Sequence, residues 1–270
     1  MRLQSEYDQN GYVVLRDFLS TKELLRLNEL VDDIHQRWLT KNATAFREHR
    51  LVNMHSLTHA KYFEDEPTNR LRLFKAIAPT KLVELLDELF ETDIHFHNTQ
   101  LFFNPHDPEQ LPYWHRDLQF SPIDDDVQKA KQGEMLNLHV RIPLVKEMGL
   151  EVIPGTHKRW DTGLERQVRL ELEGHLNSEE LLGSVLVDLA PGDVMIFNAQ
   201  MIHRGRYTDT ELRKALDLCV GSAHELVDSS LDPSVLPTTD ELEQLQSDVW
   251  YERSLSIVKK HTQLVSDWML

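Results

Sequence analysis

The chain has 270 residues, of which 40% are hydrophobic, and a formal net charge of −16. This length and composition are sufficient for a buried core, so a globular fold is expected rather than disorder. The lysines and arginines are spread along the chain and are outnumbered by acidic residues, which argues against nucleic acid or an anionic membrane as a partner. A single cysteine, Cys219, and a polar, acidic N-terminal segment predict a cytoplasmic protein, and no apolar run is long enough to span a membrane.

The first part of the chain, to about residue 92, has mainly helical patterning. A short β-branched run at 11–15 suits an edge strand. Ser20 and Glu23 have the spacing of a capping box, and apolar residues then recur at helical spacing. Another helix is predicted from Pro79 to Phe90, with proline in its first turn. This region is therefore predicted to form a helical layer.

From Ile94 onward the pattern changes to short β-prone runs that are separated by proline, glycine and aspartate. These runs are 94–104, 113–120, 135–145, 150–153, 184–189, 193–198 and 213–221. Many short strands at such spacing predict an antiparallel sandwich or barrel over about 93–222.

Further helical segments flank this β-rich region. The charged segment 158–182 is predicted to be a helical or loop insertion between strands. Thr238 and Glu241 form a second capping-box sequence, which begins a helical C-terminal extension over about 223–270. The whole chain, 1–270, is therefore expected to be a single domain that is mainly β with flanking helices.

Three side chains have the pattern of a metal site. His115 and Asp117 are two residues apart in a β-prone segment, and alternate residues of a strand project from one face. His203 follows the predicted strand 193–198 and can supply a third ligand. Two histidines and one carboxylate form the facial triad of non-haem Fe(II) oxygenases, which leaves three coordination positions open. These residue types favour iron chemistry over a closed zinc site.

A His-x-Asp triplet is weak by itself, because a chain with 14 histidines produces such triplets by chance. A surface histidine beside a solvated carboxylate is the alternative interpretation. His95 and His97 also lie on a predicted strand and could begin a cupin-type site. Since no glutamate follows at the required spacing, we interpret this pair as structural or as a support for the metal ligands.

Arg213 stands ten residues after His203 in a β-prone run. A dicarboxylate cosubstrate that chelates iron at one end needs a cation for its distal carboxylate, and a guanidinium group supplies a permanently charged, bidentate fork. Arg213 is therefore the predicted anchor of the cosubstrate. The alternative is an ordinary arginine at a strand edge that forms a salt bridge.

Four motifs occur in order along the chain. They are Tyr7-x-x-x-Gly11-Tyr12-Val13-Val14-Leu15-x-x-Phe18-Leu19; the run 99–105 followed by Trp114-His115-Arg116-Asp117; the run 149–158 with Pro154-Gly155-Thr156-His157; and Ala190-Pro191-Gly192-Asp193 followed by His203 and Arg213. Together they resemble the phytanoyl-CoA dioxygenase family over most of the chain.

This resemblance implies a double-stranded β-helix, the jelly-roll or cupin-like barrel, with Fe(II) held near its open end by His115, Asp117 and His203. It also implies a reaction in which O2 and 2-oxoglutarate are consumed, succinate and CO2 are released, and an unactivated C–H bond of a small substrate is hydroxylated. His157 is expected to be structural. The presence of Asp117 argues against the related halogenases, in which glycine or alanine at that position makes room for halide.

The loop after His203 departs from the family. Arg204-Gly205-Arg206 stands where the family prefers small residues, so Thr208 is the one candidate hydroxyl donor to the cosubstrate that we retain from this loop.

Polar residues at alternate positions indicate where the strands face a ligand. Asn137, His139 and Arg141 share one face of a predicted strand. An interior polar row is costly unless it serves a ligand, which predicts that Asn137 faces the cosubstrate and that His139 or Arg141 reaches the substrate. Exposure of all three to solvent is the alternative. Gln100 and Asn104 form a similar pair and are further candidate pocket residues.

Several arginines lie in or beside these motifs, namely Arg116, Arg141, Arg204 and Arg206. If they converge around the iron, the substrate is expected to be anionic, because partly buried arginines require a planar acidic partner. The expected partner is therefore a small anionic molecule, and no pattern indicates an oligomeric state. Two competing hypotheses are a non-catalytic jelly-roll module that binds a metal or a small acid, and a cupin-like enzyme built on His95 and His97, against which Arg213 argues.

Overall fold

The computed structural model describes residues 2–208, 210–228, 231–246 and 248–268. The strands within these ranges are β1 (Tyr12–Leu15), β2 (Asn53–His55), β3 (His95–Phe103), β4 (Asn137–Pro143), β5 (Glu147–Val152), β6 (Val185–Leu189), β7 (Val194–Asn198), β8 (His203–Gly205) and β9 (Lys214–Gly221). They form a six-stranded sheet with the order β1-β7-β4-β9-β3-β2 and a three-stranded sheet with the order β6-β5-β8. Neighbouring strands are antiparallel throughout both sheets.

Helices precede, interrupt and follow the strands. Those in the described ranges are α1 (Arg2–Asn10), α2 (Thr21–Glu48), α3 (Pro67–Ile77), α4 (Thr80–Phe90), α5 (Asp125–Lys131), α6 (Gly163–Arg169), α7 (Glu225–Asp228), α8 (Thr239–Leu242) and α9 (Val249–Trp268). Within these ranges no helix is both long enough and apolar enough to cross a membrane.

The long helix α2 illustrates how the helical layer forms. At its start the Ser20 side chain accepts a hydrogen bond from the backbone N–H of Glu23, and the Glu23 side chain accepts one from the backbone N–H of Ser20. Leu27, Val31 and Ile34 recur at helical spacing and are buried. Because each such side chain contributes about 1.5–3 kcal/mol when it leaves water, this face holds the helix against the rest of the core.

The sheets and helices are arranged in layers. The main apolar cluster joins residues of α2, α3, α4 and α9 to one face of the large sheet. A second cluster joins Met195 and Phe197 of the large sheet to Leu150 and Val187 of the small sheet. The large sheet therefore packs against helices on one face and against the small sheet on the other.

Two local predictions were wrong. The strand β2 lies in a region predicted to be helical; with three residues it is too short to show a period, and it forms because it pairs with β3. The segment 113–120 is not a strand: His115 forms an isolated bridge with His203, and a 3₁₀-helical turn follows at Asp117–Phe120.

Candidate active site

A cavity of about 300 Å³ lies between the two sheets. The large sheet contributes Gln100 and Arg141 to its lining, and the small sheet contributes Leu150 and Gly205. Small-molecule sites in proteins are usually about 300–1,000 Å³, so this cavity is at the lower end of that range. It has room for small ligands only.

The three predicted metal ligands meet in this cavity. The ligand atoms of His115, Asp117 and His203 lie within 4.8 Å of one another. Oδ1 of Asp117 is 3.6 Å from Nε2 of His115 and 3.4 Å from Nε2 of His203. Bonds of about 2.0–2.2 Å to one ion place neighbouring ligand atoms roughly 3–3.5 Å apart. The donor set and its spacing therefore fit a divalent metal ion such as Fe(II).

Backbone hydrogen bonds hold the three residues together. His115 and His203 exchange two backbone N–H···O bonds, each 3.0 Å long, across the isolated bridge. The N–H of Asp117 donates to the carbonyl oxygen of Ala199 at 3.1 Å. Since β7 and β8 flank Ala199, the relative positions of the three side chains are set by the sheet edge.

Both histidines direct one nitrogen at the centre of the site. Nδ1 of His115 lies 3.2 Å from the carbonyl oxygen of Tyr113, and Nδ1 of His203 lies 2.8 Å from that of Met201. A carbonyl oxygen only accepts, so Nδ1 carries the hydrogen and Nε2 keeps a free lone pair. Burial lowers the pKa of His203 to about 3 and also lowers the pKa of His115. Both rings are therefore neutral at physiological pH, which is the form that binds a metal.

A buried charged network stands behind Asp117. His139 lies between two carboxylates, with Nε2 2.7 Å from Oδ2 of Asp117 and Nδ1 3.0 Å from Oδ2 of Asp217. Arg141 pairs with Oδ1 of Asp217 at 3.0 Å and with both oxygens of Glu147. Although burial favours the neutral ring, the carboxylates raise the pKa of His139 well above its ordinary value. The network then has one more anion than cation, and a divalent metal ion bound at Asp117 would compensate this excess.

Arg213 lies in the same cavity without a partner for its charge. Its side chain is 4% exposed, and its guanidinium carbon lies 5.1 Å from the centre of the Phe102 ring and 5.2 Å from that of Tyr207. Burial lowers its pKa to about 10, so it remains a cation. None of the carboxylates that the structure describes forms an ion pair with it, and its Nε has no hydrogen-bond partner among them.

Other predicted cosubstrate residues are divided between the cavity and its surroundings. Gln100 lines the cavity. Asn104 does not: its amide donates to the carbonyl oxygens of Thr208 and Glu211, and its Oδ1 accepts from the backbone N–H of Arg213. Thr208 and Asn137 also lie outside the lining. These positions argue against direct cosubstrate contacts by Asn104, Thr208 and Asn137.

The predicted substrate arginines do not converge on the metal site. Arg116 is fully buried, pairs with Asp161 at 2.8 Å and donates to backbone carbonyls, including that of Gln200. Arg204 pairs with Glu151 at 2.8 Å, and Arg206 pairs with the same carboxylate at 3.3 Å. None of the three lines the cavity.

The remaining substrate candidates are already engaged. Arg141 lines the cavity, but its charge is matched by Glu147 and Asp217. His139 is occupied by Asp117 and Asp217. The reason for expecting an anionic substrate is therefore removed.

Sequence reasoning missed several residues of the cavity wall. Asn53 and His55 lie on β2, and the amide nitrogen of Asn53 donates to Oε1 of Gln100 at 3.0 Å. Tyr113 and Phe120 lie on either side of His115 and Asp117 in sequence, and the Phe120 side chain is 65% exposed. The aromatic residues could have been found from their proximity to His115 in sequence, whereas the three-residue strand β2 has no periodic signal.

Comparisons with known proteins identify the family of the chain. The family model described as Phytanoyl-CoA dioxygenase (PhyH) matches residues 7–215. A protein from Caenorhabditis elegans, described as a probable phytanoyl-CoA dioxygenase, is 23% identical over 245 residues, which cover 79% of this chain and 74% of that protein.

Solved structures share the fold. EctD from S. alaskensis, solved with 2-oxoglutarate and 5-hydroxyectoine, has a TM-score of 0.55 and 18% identity, and the match covers 82% of this chain and 75% of EctD. AviO1 from Streptomyces viridochromogenes Tue57 has a TM-score of 0.55 and 14% identity, with 86% and 96% covered. The non-haem α-ketoglutarate-dependent epimerase SnoN from nogalamycin biosynthesis has a TM-score of 0.50 and 18% identity, with 82% of each chain covered. These likenesses confirm the predicted jelly-roll fold, and with the family match they show that the chain belongs to the phytanoyl-CoA dioxygenase family of 2-oxoglutarate-dependent, non-haem iron oxygenases.

Proposed function

We propose that this oxygenase hydroxylates a C–H bond of a small molecule, with Fe(II) held by His115, Asp117 and His203 and with the distal carboxylate of 2-oxoglutarate held by Arg213. The observation that carries the proposal is the buried guanidinium of Arg213, which has no ion-pair partner among the described residues and lies in the cavity that the three ligand side chains line. The single cysteine, which cannot form an internal disulfide, supports a cytoplasmic enzyme.

The surroundings of Arg213 favour a dicarboxylate over other ligands. A buried cation is costly unless an anion and hydrogen bonds compensate it. The aromatic rings of Phe102 and Tyr207 flank the guanidinium and keep water away from its faces. In such a low-dielectric site an ion pair is stronger than in water, so a carboxylate that forms a bidentate pair with Arg213 gains more there than at the surface.

Together, bound iron and 2-oxoglutarate supply the oxidising chemistry: O2 and 2-oxoglutarate are converted to succinate and CO2, and one oxygen atom enters the C–H bond of the substrate. The protein residues position these groups. The neutral rings of His115 and His203 direct Nε2 at the metal position. His139 contacts Oδ2 of Asp117, the oxygen that points away from the two histidines. Each ligand side chain keeps its orientation because a hydrogen bond holds the atom that does not face the metal.

The other residues that line the cavity favour a small, polar substrate. Asn53, His55 and Gln100 offer amide and imidazole groups, and Tyr113 and Phe120 add aromatic surface. With about 300 Å³ to share with the cosubstrate, the cavity has room for a compact molecule but not for the whole of a larger one. We therefore propose a compact substrate that is recognised by hydrogen bonds and an aromatic contact rather than by arginines.

An anaerobic titration tests this proposal. Metal-free protein is mixed with Fe(II) and then with 2-oxoglutarate, and the visible charge-transfer band of the chelate is recorded. The wild-type protein and a His175→Ala control, which changes a partly exposed histidine paired with Glu179, should both give the band. His115→Ala should not give it. A folded wild-type protein without the band would remove the proposed site.

A further inference from the structure

A second cluster with the composition of a metal site lies apart from the cavity. His95, His97 and Asp228 are all buried, and their ligand atoms lie within 4.8 Å of one another. None of them lines the cavity of the iron site. The two histidines belong to β3, and Asp228 ends the short helix α7 that follows β9.

The cluster places more hydrogen-bonding neighbours around Nε2 of His95 than this one nitrogen can satisfy. Nε2 of His95 lies 3.0 Å from Nε2 of His97 and 3.2 Å from Oδ1 of Asp228. A neutral imidazole nitrogen either donates one hydrogen or accepts one, so Nε2 of His95 can satisfy only one of these neighbours. The cluster therefore contains more lone pairs than hydrogens.

The Asp228 carboxylate has one oxygen that lacks a hydrogen-bond donor among the described residues. Its Oδ2 accepts a hydrogen bond from the backbone N–H of His224 at 2.9 Å. Its Oδ1 is buried and has no hydrogen-bond partner among the described residues, although Nε2 of His95 is close by. An unpaired buried carboxylate oxygen is costly, and such an atom calls for an occupant that the protein chain does not supply.

The local backbone makes room for His97 in the cluster. The register of β3 against β9 shifts between Phe96 and Asn98, so His97 is the extra residue of a β-bulge. Bulges re-aim side chains next to functional sites. Beside this bulge, Gly221 of β9 pairs with His95, and a Cβ added to Gly221 would lie 2.9 Å from Cε1 of His97. A glycine at this position therefore permits the imidazole to point at His95.

We propose that His95, His97 and Asp228 bind a divalent transition-metal ion of the kind that imidazole and carboxylate ligands prefer, such as Zn²⁺. Bonds of about 2.0–2.2 Å would put the ligand atoms roughly 3–3.5 Å apart, in agreement with the 3.0 and 3.2 Å contacts. Imidazole nitrogen suits zinc, iron, copper and nickel, and a carboxylate completes a three-ligand set with an open position.

Such an ion would fasten the C-terminal segment to the sheet. It would link the beginning of β3 to α7, the helix that follows β9 in the chain. The helix α9 reaches the same strand, because Oγ of Ser254 donates to the carbonyl oxygen of Phe96 at 2.6 Å. The site is thus structural in its position, and its loss should affect stability before it affects the chemistry of the cavity.

Metal content tests the proposal directly. Metal-free protein is incubated with Zn²⁺, desalted and analysed for zinc per chain by mass spectrometry. Zinc is used because it binds both donor sets and does not undergo redox reactions. We expect two zinc ions in the wild-type protein, one in Asp228→Asn, one in His115→Ala and none in the double variant. Asparagine can still accept the hydrogen bond from His224, so the variant should keep its fold.

Two further variants keep the test decisive. Asp232→Asn is the matched control, since Asp232 is a nearby carboxylate that caps the backbone N–H of Ser234 and lies outside the cluster. It should retain two zinc ions. His97→Gln replaces Asp228→Asn if the latter does not fold, and it should also bind one.

Thermal unfolding provides a second readout. In the His115→Ala background, Zn²⁺ should raise the unfolding temperature by at least about 3 °C, and adding Asp228→Asn should abolish that rise. One zinc ion in the wild-type protein that is lost in His115→Ala, or two zinc ions in both Asp228→Asn and His97→Gln, would overturn the proposal. Failure of the iron site is separate, because the wild-type protein would then bind one zinc ion that His115→Ala keeps and Asp228→Asn loses.

Discussion

Nε2 of His139 lies 2.7 Å from Oδ2 of Asp117, while Oδ1 of the same carboxylate is the oxygen that approaches His115 and His203. One carboxylate thus faces the metal position with one oxygen and a buried imidazole with the other. Because the far side of His139 is held by Asp217, the orientation of Asp117 is fixed by a chain of buried hydrogen bonds.

Replacing His139 should weaken metal binding without removing a ligand. In His139→Phe, Asp117 and Asp217 lose their shared donor, and we expect the affinity for Fe(II) to fall by roughly 10- to 100-fold. His139→Gln can donate to one carboxylate and should recover part of the loss. An anaerobic titration against a competing chelator measures both, with His175→Phe as a control. Wild-type affinity in folded His139→Phe would show that His139 does not position the ligand.

Some residues of the site could be predicted from the sequence, and others could not. The two-residue spacing of His115 and Asp117 indicated that they share a metal, although the element was wrong: an isolated bridge and a 3₁₀ turn, rather than a strand, bring them together. His203 and Arg213 followed from their order along the chain. Long-range pairing could not be read from periodicity, so the three-residue strand β2 and its Asn53 were missed.

The polar residues show a second limit of sequence reasoning. Alternation correctly placed His139 and Arg141 on one buried face of β4, but the pattern carries no information on which acidic residue meets each of them. Arg116 and Arg204 are paired by Asp161 and Glu151, which lie 45 and 53 residues away in the sequence. In the sequence alone, an arginine whose acidic partner is distant cannot be distinguished from an arginine that has no partner.

Gly205 should be required for the position of Arg213. A Cβ at this residue would collide with the guanidinium group of Arg213, which is buried between aromatic rings and has little freedom to move. Gly205→Ala should therefore raise the dissociation constant of 2-oxoglutarate by about 10-fold or more, at an energetic cost of about 1.4 kcal/mol or more. Gly163→Ala is the control, because an added Cβ meets nothing within 4 Å there. Unchanged cosubstrate binding in Gly205→Ala would contradict the placement of Arg213.

His157 should make the fold sensitive to acid. Burial lowers its pKa to about 4, whereas a histidine in an unfolded chain has a pKa of about 6.5. Between these values the unfolded chain binds more protons than the folded one, so the free energy of unfolding decreases as the pH falls from about 6.5 to 4.

The variant His157→Gln cannot take up that proton. Its free energy of unfolding should decrease less between pH 7 and pH 5 than that of the wild-type protein, by on the order of 1 kcal/mol. Denaturant unfolding at both pH values measures the difference, with His175→Gln as a partly exposed control. Equal losses in the wild-type protein and His157→Gln would show that His157 does not contribute.

Arg204 should stabilise the fold rather than bind the substrate. Its guanidinium group lies 4.3 Å from the Trp114 ring and pairs with Glu151. Arg204→Met keeps an apolar side chain over the ring but leaves Arg206 as the only cation paired with Glu151 within the described residues. We expect the free energy of unfolding to fall by roughly 2–4 kcal/mol, with the dissociation constant of 2-oxoglutarate unchanged within about twofold. Intact stability with weakened ligand binding would return Arg204 to the substrate site.

Arg213 is proposed to hold the distal carboxylate of the cosubstrate by its charge. The most direct test of this role compares 2-oxoglutarate with 2-oxopentanoate, which has the same chelating end and chain length but no distal carboxylate. Dissociation constants are measured from the anaerobic Fe(II) charge-transfer band for the wild-type protein and for Arg213→Ala. The wild-type protein should prefer 2-oxoglutarate by at least about 30-fold, equivalent to about 2 kcal/mol. Arg213→Ala should lose most of that preference while its affinity for 2-oxopentanoate changes little. An undiminished preference in folded Arg213→Ala would contradict the account.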